Sequence, residues 1–243
     1  MRRTRAEPYV RRMALTLTEI TPRLHQLDFS IGQAYLWRDG EESTLIDAGW
    51  AGAADEVDAA IRSAGLDPAR LRRIVLTHAH RDHVGCAQEL AERHGAEIVA
   101  HRLDAPVVRG EAPVPDPVLL DWEAPLYERG ITVVPVAPPT RVDREVEDGD
   151  ALGFGDGAVV VHTPGHTDGS IAVHLPRHGV LFTGDTVAAV EGVTLGVFHT
   201  DREGARAAMR RLAELAPSVV CFGHGVPLTE NAAALLKAAA EAA

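Results

Sequence analysis

The stretch LTHAHRDHVG, residues 76–85, sets three histidines and an aspartate within six positions, directly behind the apolar run RIVL. Neutral imidazole and carboxylate share one chemistry: they ligate zinc, and they also suit iron or manganese. In an extended segment His78 and His80, two apart, point the same way. Asp82 and His83 are adjacent, at the start of a helical stretch, and project differently. One turn can therefore supply parts of two neighbouring metal sites and complete neither. Three later positions offer the missing ligands. TPGHTDGS puts His166 in a Gly/Pro turn, FTGDT puts Asp185 at a strand end, and CFGHG puts His224 between glycines. Each is a polar ligand at a strand terminus, with glycine allowing close backbone approach.

Such ligands need a scaffold that delivers distant strand ends to one place. Short apolar runs at 35–37, 44–47, 73–76, 97–100, 131–136, 158–162, 171–175, 179–184 and 218–223 read as strands. Helical patterns fall at 52–64, 83–94, 201–215 and 229–242. The third opens with TDRE, where Thr200 can cap and Glu203 can reach back. The last is rich in alanine, the best helix former. Residues 102–130, with several prolines and Trp122, read as a long surface excursion of the kind that shapes binding sites. No low-complexity linker divides the chain. The expectation is a single domain over 13–243, preceded by a flexible basic tail at 1–12, with Met13 a candidate start.

Two hairpins share a layout. AYLWRDGEESTLIDAG (34–49) ends in Asp47, and IAVHLPRHGVLFTGD (171–185) ends in Asp185. Each precedes a helix, then an apolar strand, then a histidine: His78 in one case, His224 in the other. Two such halves, each a sheet covered on one face by helices, would bury their remaining faces against each other. That predicts an α/β protein of four layers, an αββα sandwich with the strand ends of both halves at one edge.

Composition narrows the partners. A formal charge of −11 argues against a nucleic-acid surface, because phosphate backbones attract basic patches. No run approaches the roughly 18 apolar residues of a membrane helix, and the N-terminal stretch lacks the apolar core of a secretory signal. Two cysteines, Cys86 and Cys221, give no disulfide framework. The expectation is a cytoplasmic protein acting on a small molecule, with no membrane or nucleic-acid partner.

The HxHxDH pattern at 78–83, followed in order by His166, Asp185 and His224, resembles the metallo-β-lactamase superfamily over roughly residues 17–243. The resemblance implies an αββα fold with a binuclear site, usually zinc, at one sandwich edge. By position, His78, His80 and His166 resemble the ligands of one metal, and Asp82, His83 and His224 those of the other. Asp185 would bridge both, and Asp47 sits where the family has a buttressing aspartate. The implied activity is that of a hydrolase in which a hydroxide shared by two metals attacks an ester, thioester, lactone or amide carbonyl, with Asp82 orienting it or relaying its proton. Subgroups are harder to match. Only 19 residues follow His224, with the single lysine Lys237, unlike the helical extension of glyoxalase II thioesterases. Ala188 stands where the lactonases of the family have tyrosine. Two other readings use the same residues: an oxidoreductase like the persulfide dioxygenases, with one iron on two histidines and an aspartate, or a metal-binding protein without catalysis.

Other candidates are plainer. Cys221 lies within an apolar run and reads as a buried, inert thiol. His25, His94, His101, His174 and His178 read as surface or strand residues, and His162 as structural. His199, in GVFHTDRE, is a candidate for the pocket wall.

Overall fold

The computed structural model describes residues 15–29 and 31–243; the tail expected at 1–12 and the candidate start Met13 lie outside them. Seven strands form one sheet in chain order: β1 (Thr16–Thr21), β2 (Leu24–Asp28), β3 (Gln33–Asp39), β4 (Glu42–Ile46), β5 (Leu71–Val75), β6 (Glu97–His101) and β7 (Arg144–Val146). A second sheet has the order β13-β10-β9-β8, from β8 (Val159–His162), β9 (Ile171–Leu175), β10 (Val180–Phe182) and β13 (Val219–Cys221). Between them in sequence, β11 (Val187–Ala188) and β12 (Thr194–Leu195) pair as a small ribbon.

The layers follow from period-two alternation along each strand. In β3, Ala34 and Leu36 join one buried cluster with Val57 and Ile61 of α1 (Ala54–Ser63) and Leu90 of α3 (Ala87–His94). Tyr35 and Trp37, on the other face, meet Val160, Val173 and Phe182 of the second sheet. On that sheet's outer face Leu181 and Val220 pack with Met209 and Leu212 of α6 (Arg202–Glu214) and Leu236 of α7 (Ala232–Ala242). Three apolar layers between four structural ones make the αββα sandwich. Cys221 falls in the middle layer, where burial pushes its thiol pKa well up. Among the described residues, no helix is long and apolar enough to cross a membrane.

The two hairpins occupy matching places. β3 pairs antiparallel with β4, which runs parallel to β5; β9 pairs antiparallel with β10, which runs parallel to β13. The chain leaves β4, β5, β10 and β13 at the same edge, just before Asp47, His78, Asp185 and His224 respectively.

Several elements differ from the sequence expectation. The run at 131–136 is not a strand: α5 (Ala124–Val133) takes its first half, with Pro125 in the first turn, and Val134 is extended. The excursion at 102–130 thus holds most of that helix and the short α4 (Ala105–Val108). β1, β2, β7 and the ribbon strands were not anticipated. The cap of α6 is Asp201 instead of Thr200; its Oδ1 accepts from the Gly204 N–H at 3.0 Å. The helix expected at 83–94 breaks into α2 (Arg81–Val84) and α3. Gly85 sits at the break, at φ −10° and ψ −77°. A Cβ there would stand 2.2 Å from the Gly49 carbonyl oxygen and 2.2 Å from the Trp50 Cα. Backbone touches backbone, and the Ala48 N–H donates to the His83 carbonyl at 2.7 Å beside it.

This contact sets the distance between the Asp47 turn and His83. Gly85→Ala should therefore lower Tm by roughly 5–10 °C, since forced overpacking costs about 1–3 kcal/mol or more and each kcal/mol moves Tm by about 2–4 °C at this size. Gly130→Ala, inside α5 where a Cβ meets nothing within 4 Å, should instead raise Tm, by about 2–4 °C. Differential scanning calorimetry of both variants checks the contrast.

Candidate metal centre

The chain past β5 turns through Thr77, His78, Ala79 and His80 before α2 carries Asp82 and His83 inward. His166 arrives from the turn between β8 and β9, Asp185 from the end of β10, and His224 from the end of β13. The seven side chains singled out in the sequence meet as two adjoining groups. Ligand atoms of His78, His80, His166 and Asp185 lie within 4.8 Å of one another, as do those of Asp82, His83 and His224. Asp185 faces both groups. Its Oδ2 lies 3.8 Å from His78 Nε2, 3.6 Å from His166 Nε2 and 3.2 Å from His224 Nε2, while Oδ1 lies 3.4 Å from His83 Nε2. Asp82 Oδ2 stands 3.4 Å from His224 Nε2 and 3.7 Å from His83 Nε2.

Electrostatics separate the two groups. Burial, with neighbouring imidazoles, holds His78 and His166 well below the usual histidine range, and burial lowers His80 too. These rings are neutral at pH 7. Burial also opposes charge on His83 and His224, but there the carboxylates win: Asp185 and Asp82 raise His83 well above its ordinary value and push His224 up to about 10. Burial likewise opposes ionisation of Asp82, and His83 and His224 outweigh it.

The donor set fits divalent cations. Nε2 of His78, Nε2 of His83 and Oδ1 of Asp185 are buried without a hydrogen-bond partner, and each such orphan costs about 1–3 kcal/mol. Cations at these positions would satisfy all three and replace the protons that the carboxylates otherwise hold on His83 and His224.

The outward nitrogens are tied down. Asp47, at φ 59°, can only accept, and it takes the Thr77 N–H at 2.7 Å on Oδ1 and the Thr77 hydroxyl at 2.8 Å on Oδ2. His83 Nδ1 donates to the same Oδ2 at 2.9 Å. With its proton committed, Thr77 Oγ1 accepts from His78 Nδ1 at 3.0 Å. One carboxylate thus orients a histidine of each group, leaving both Nε2 atoms aimed inward. His166 Nδ1 donates to the Val197 carbonyl at 3.0 Å.

Asp104 escaped the sequence reading. It is buried, and burial raises its carboxyl pKa. Oδ2 accepts from the Ala79 N–H at 2.8 Å and the Thr167 hydroxyl at 2.7 Å; Oδ1 accepts from the Gly169 N–H at 2.8 Å. It ties the turn of His78 and His80 to the turn of His166. Asp47 is marked by the hairpin layout that it shares with Asp185, whereas Asp104, three residues past β6, belongs to no such repeat. Gly223 is a second omission: a Cβ there would lie 1.9 Å from Asp185 Oδ1. His199 is fully buried beside His166 and bonds the Gly196 carbonyl through Nε2 at 2.8 Å, so it is no open wall of a pocket. His162 stacks on His101 and bonds the Asp168 carbonyl at 2.8 Å, a structural role.

Asp104→Asn turns an amide N–H₂ toward donors that need an acceptor. It should lower Tm by roughly 3–10 °C, from about 1–3 kcal/mol per buried unmet donor. It should also cut the metal retained after dialysis, measured by plasma emission, while Asn at exposed Asp156 changes neither.

Comparison with known proteins agrees with this architecture. A family model described as the metallo-beta-lactamase superfamily matches residues 27–224. The probable metallo-hydrolase YflN of Bacillus subtilis (strain 168) is 28% identical over 231 residues, 87% of either chain. The acyl-coenzyme A thioesterase MBLAC2 of Gallus gallus is 34% identical over 174 residues, which are 64% of this chain and 58% of that one. Among solved structures, TTHA1623 in a di-iron-bound form shares 32% identity at a TM-score of 0.61, covering 82% of this chain and 89% of that chain. A family match over most of the length means that this chain belongs to the metallo-beta-lactamase superfamily as a metal-dependent hydrolase.

Proposed function

We propose that the protein, as one domain over residues 13–243, is a binuclear metallohydrolase of small carbonyl compounds: esters, thioesters, lactones or amides. His78, His80 and His166 would hold one divalent ion, Asp82, His83 and His224 the other, and Asp185 would be shared. Zinc suits this nitrogen and oxygen set, and iron or manganese suit it too. The relative solved with two irons supports the pair. The observation that carries the reading is the position of Asp185, within 3.8 Å of His78 and 3.4 Å of His83 through its two oxygens.

Bound there, divalent ions supply a water activated near neutral pH and a Lewis acid for the carbonyl oxygen. The chain's own residues do the remainder. Asp82, kept ionised, stands where it can orient that water or accept its proton. Asp47 and Thr77 fix the rings of His78 and His83 through Nδ1, and Asp104 holds their turn against that of His166. No serine or cysteine nucleophile is needed, in keeping with both cysteines being buried.

A panel of chromogenic esters, thioesters, lactones and nitrocefin, assayed with and without chelator, tests the reading. Chelator-sensitive turnover of at least one is expected. One iron per chain together with thiol-dependent oxygen uptake on persulfide would overturn it. Asp185→Asn should lower the content of both metals at once, and metal equal to wild type would remove the shared role. Asp47→Asn should cost roughly 10–100-fold in metal affinity or kcat/KM, and an unchanged variant would return Asp47 to turn duty.

A further inference from the structure

An apolar arm borders the cluster. In α5 no residue is buried, although it carries Leu126, Tyr127, Ile131 and Val133. Just before it, Val118 is 68% and Trp122 57% exposed, and Leu126 is 51% exposed. So many exposed apolar side chains within one short segment suit an interaction site.

The arm is fixed in place beside the site. The Val118 N–H donates to the His199 carbonyl at 2.9 Å. Glu123, fully buried, accepts from the Leu120 N–H at 2.8 Å and from Arg202 Nη2 at 2.7 Å. Tyr127 meets the Phe198 ring at 5.3 Å. At the far end Arg81, between His80 and Asp82, donates to the Ile131 carbonyl at 3.1 Å. The arm is thus hung between the 78–83 turn and the 197–202 segment that wraps His166. On the His224 side, Val190 and Val226 are also exposed, brought together by the Val226 N–H donating to the Ala189 carbonyl.

Charge decides what such a surface accepts. Residues 114–136 expose three carboxylates, Asp116, Asp121 and Glu128, against the single cation Arg129. Arg81 is engaged with main-chain carbonyls and Arg202 with Glu123. An anionic carrier such as coenzyme A or glutathione would meet exposed carboxylates here. We infer that the arm holds the hydrocarbon part of the substrate, and that the substrate is an uncharged, apolar carbonyl compound. This rests on the hydrolase reading above and narrows it.

Binding of uncharged ketones, which cannot be hydrolysed, separates the two readings. Isothermal titration of the full metal-loaded chain with 2-butanone, 2-hexanone and 2-decanone should show Kd falling at least roughly ten-fold from hexanone to decanone, as expected for partial burial of added methylenes. Decanoyl-CoA should bind at least roughly ten-fold more weakly than 2-decanone. Leu126→Ser combined with Trp122→Ala should abolish most of the length dependence. Leu235→Ser, at a similarly exposed leucine of α7, should preserve it. Length-independent Kd values, or decanoyl-CoA binding as tightly as the ketone, would overturn the inference. So would sedimentation showing that the arm pairs two copies and that Leu126→Ser separates them without changing ketone binding. Length-dependent ketone binding with no turnover of any ester upholds the arm's role and defeats the hydrolase reading; turnover indifferent to chain length does the reverse.

Discussion

Two carboxylates and five imidazoles share one small volume at the sandwich edge, and charge balance there constrains much of what surrounds them. Asp82 and Asp185 are largely buried anions, which a protein tolerates only when opposite charge stands beside them. In the chain alone that charge comes from His83 and His224, both driven toward the imidazolium form. Divalent ions would carry the same compensation in a fixed position and free the rings to act as ligands. The site is therefore poised between protons and metal.

Holding seven groups in that state takes bracing from behind. Asp47 and Asp104 play parallel parts: each is a buried aspartate past a strand end, and each spends its oxygens on donors from the ligand-bearing turns. Asp47 joins a histidine of each group, whereas Asp104 joins the two turns that carry three histidines of one group. Glycines complete the fit. Gly223 leaves room for the Asp185 carboxylate, and Gly85 lets the helix of His83 press against the Asp47 turn. Rigidity comes from main-chain packing and buried hydrogen bonds, so the ligands need no long-range adjustment to converge.

How much of this the sequence disclosed depended on whether the signal was local. HxHxDH is compact, and its chemistry can be read from spacing. His166, Asp185 and His224 each sit in a glycine turn after an apolar run, which marks a strand end, and the paired hairpin layout foretold the common edge. Asp104 lacks that local mark, and its partners Ala79, Thr167 and Gly169 lie far along the chain, so nothing nearby discloses their meeting. ITVVPV reads as a strand because β-branched residues favour strands in general, yet its first half completes α5, a helix that starts at Ala124 with Pro125 in its first turn. The break at Gly85 was invisible for a similar reason. Glycine is tolerated in helices, and the closeness of Gly49 and Trp50, which admits no side chain at position 85, is not legible in the local sequence.

The division of the cluster between two sheets has a bearing on how the protein is made. His78, His80, Asp82 and His83 emerge from the ribosome with the first sheet, some eighty residues before His166 can follow. Contacts of such long sequence separation form late in folding. A nascent chain therefore presents an incomplete chelate until its second half docks, and tight metal capture coincides with the closing of the sandwich.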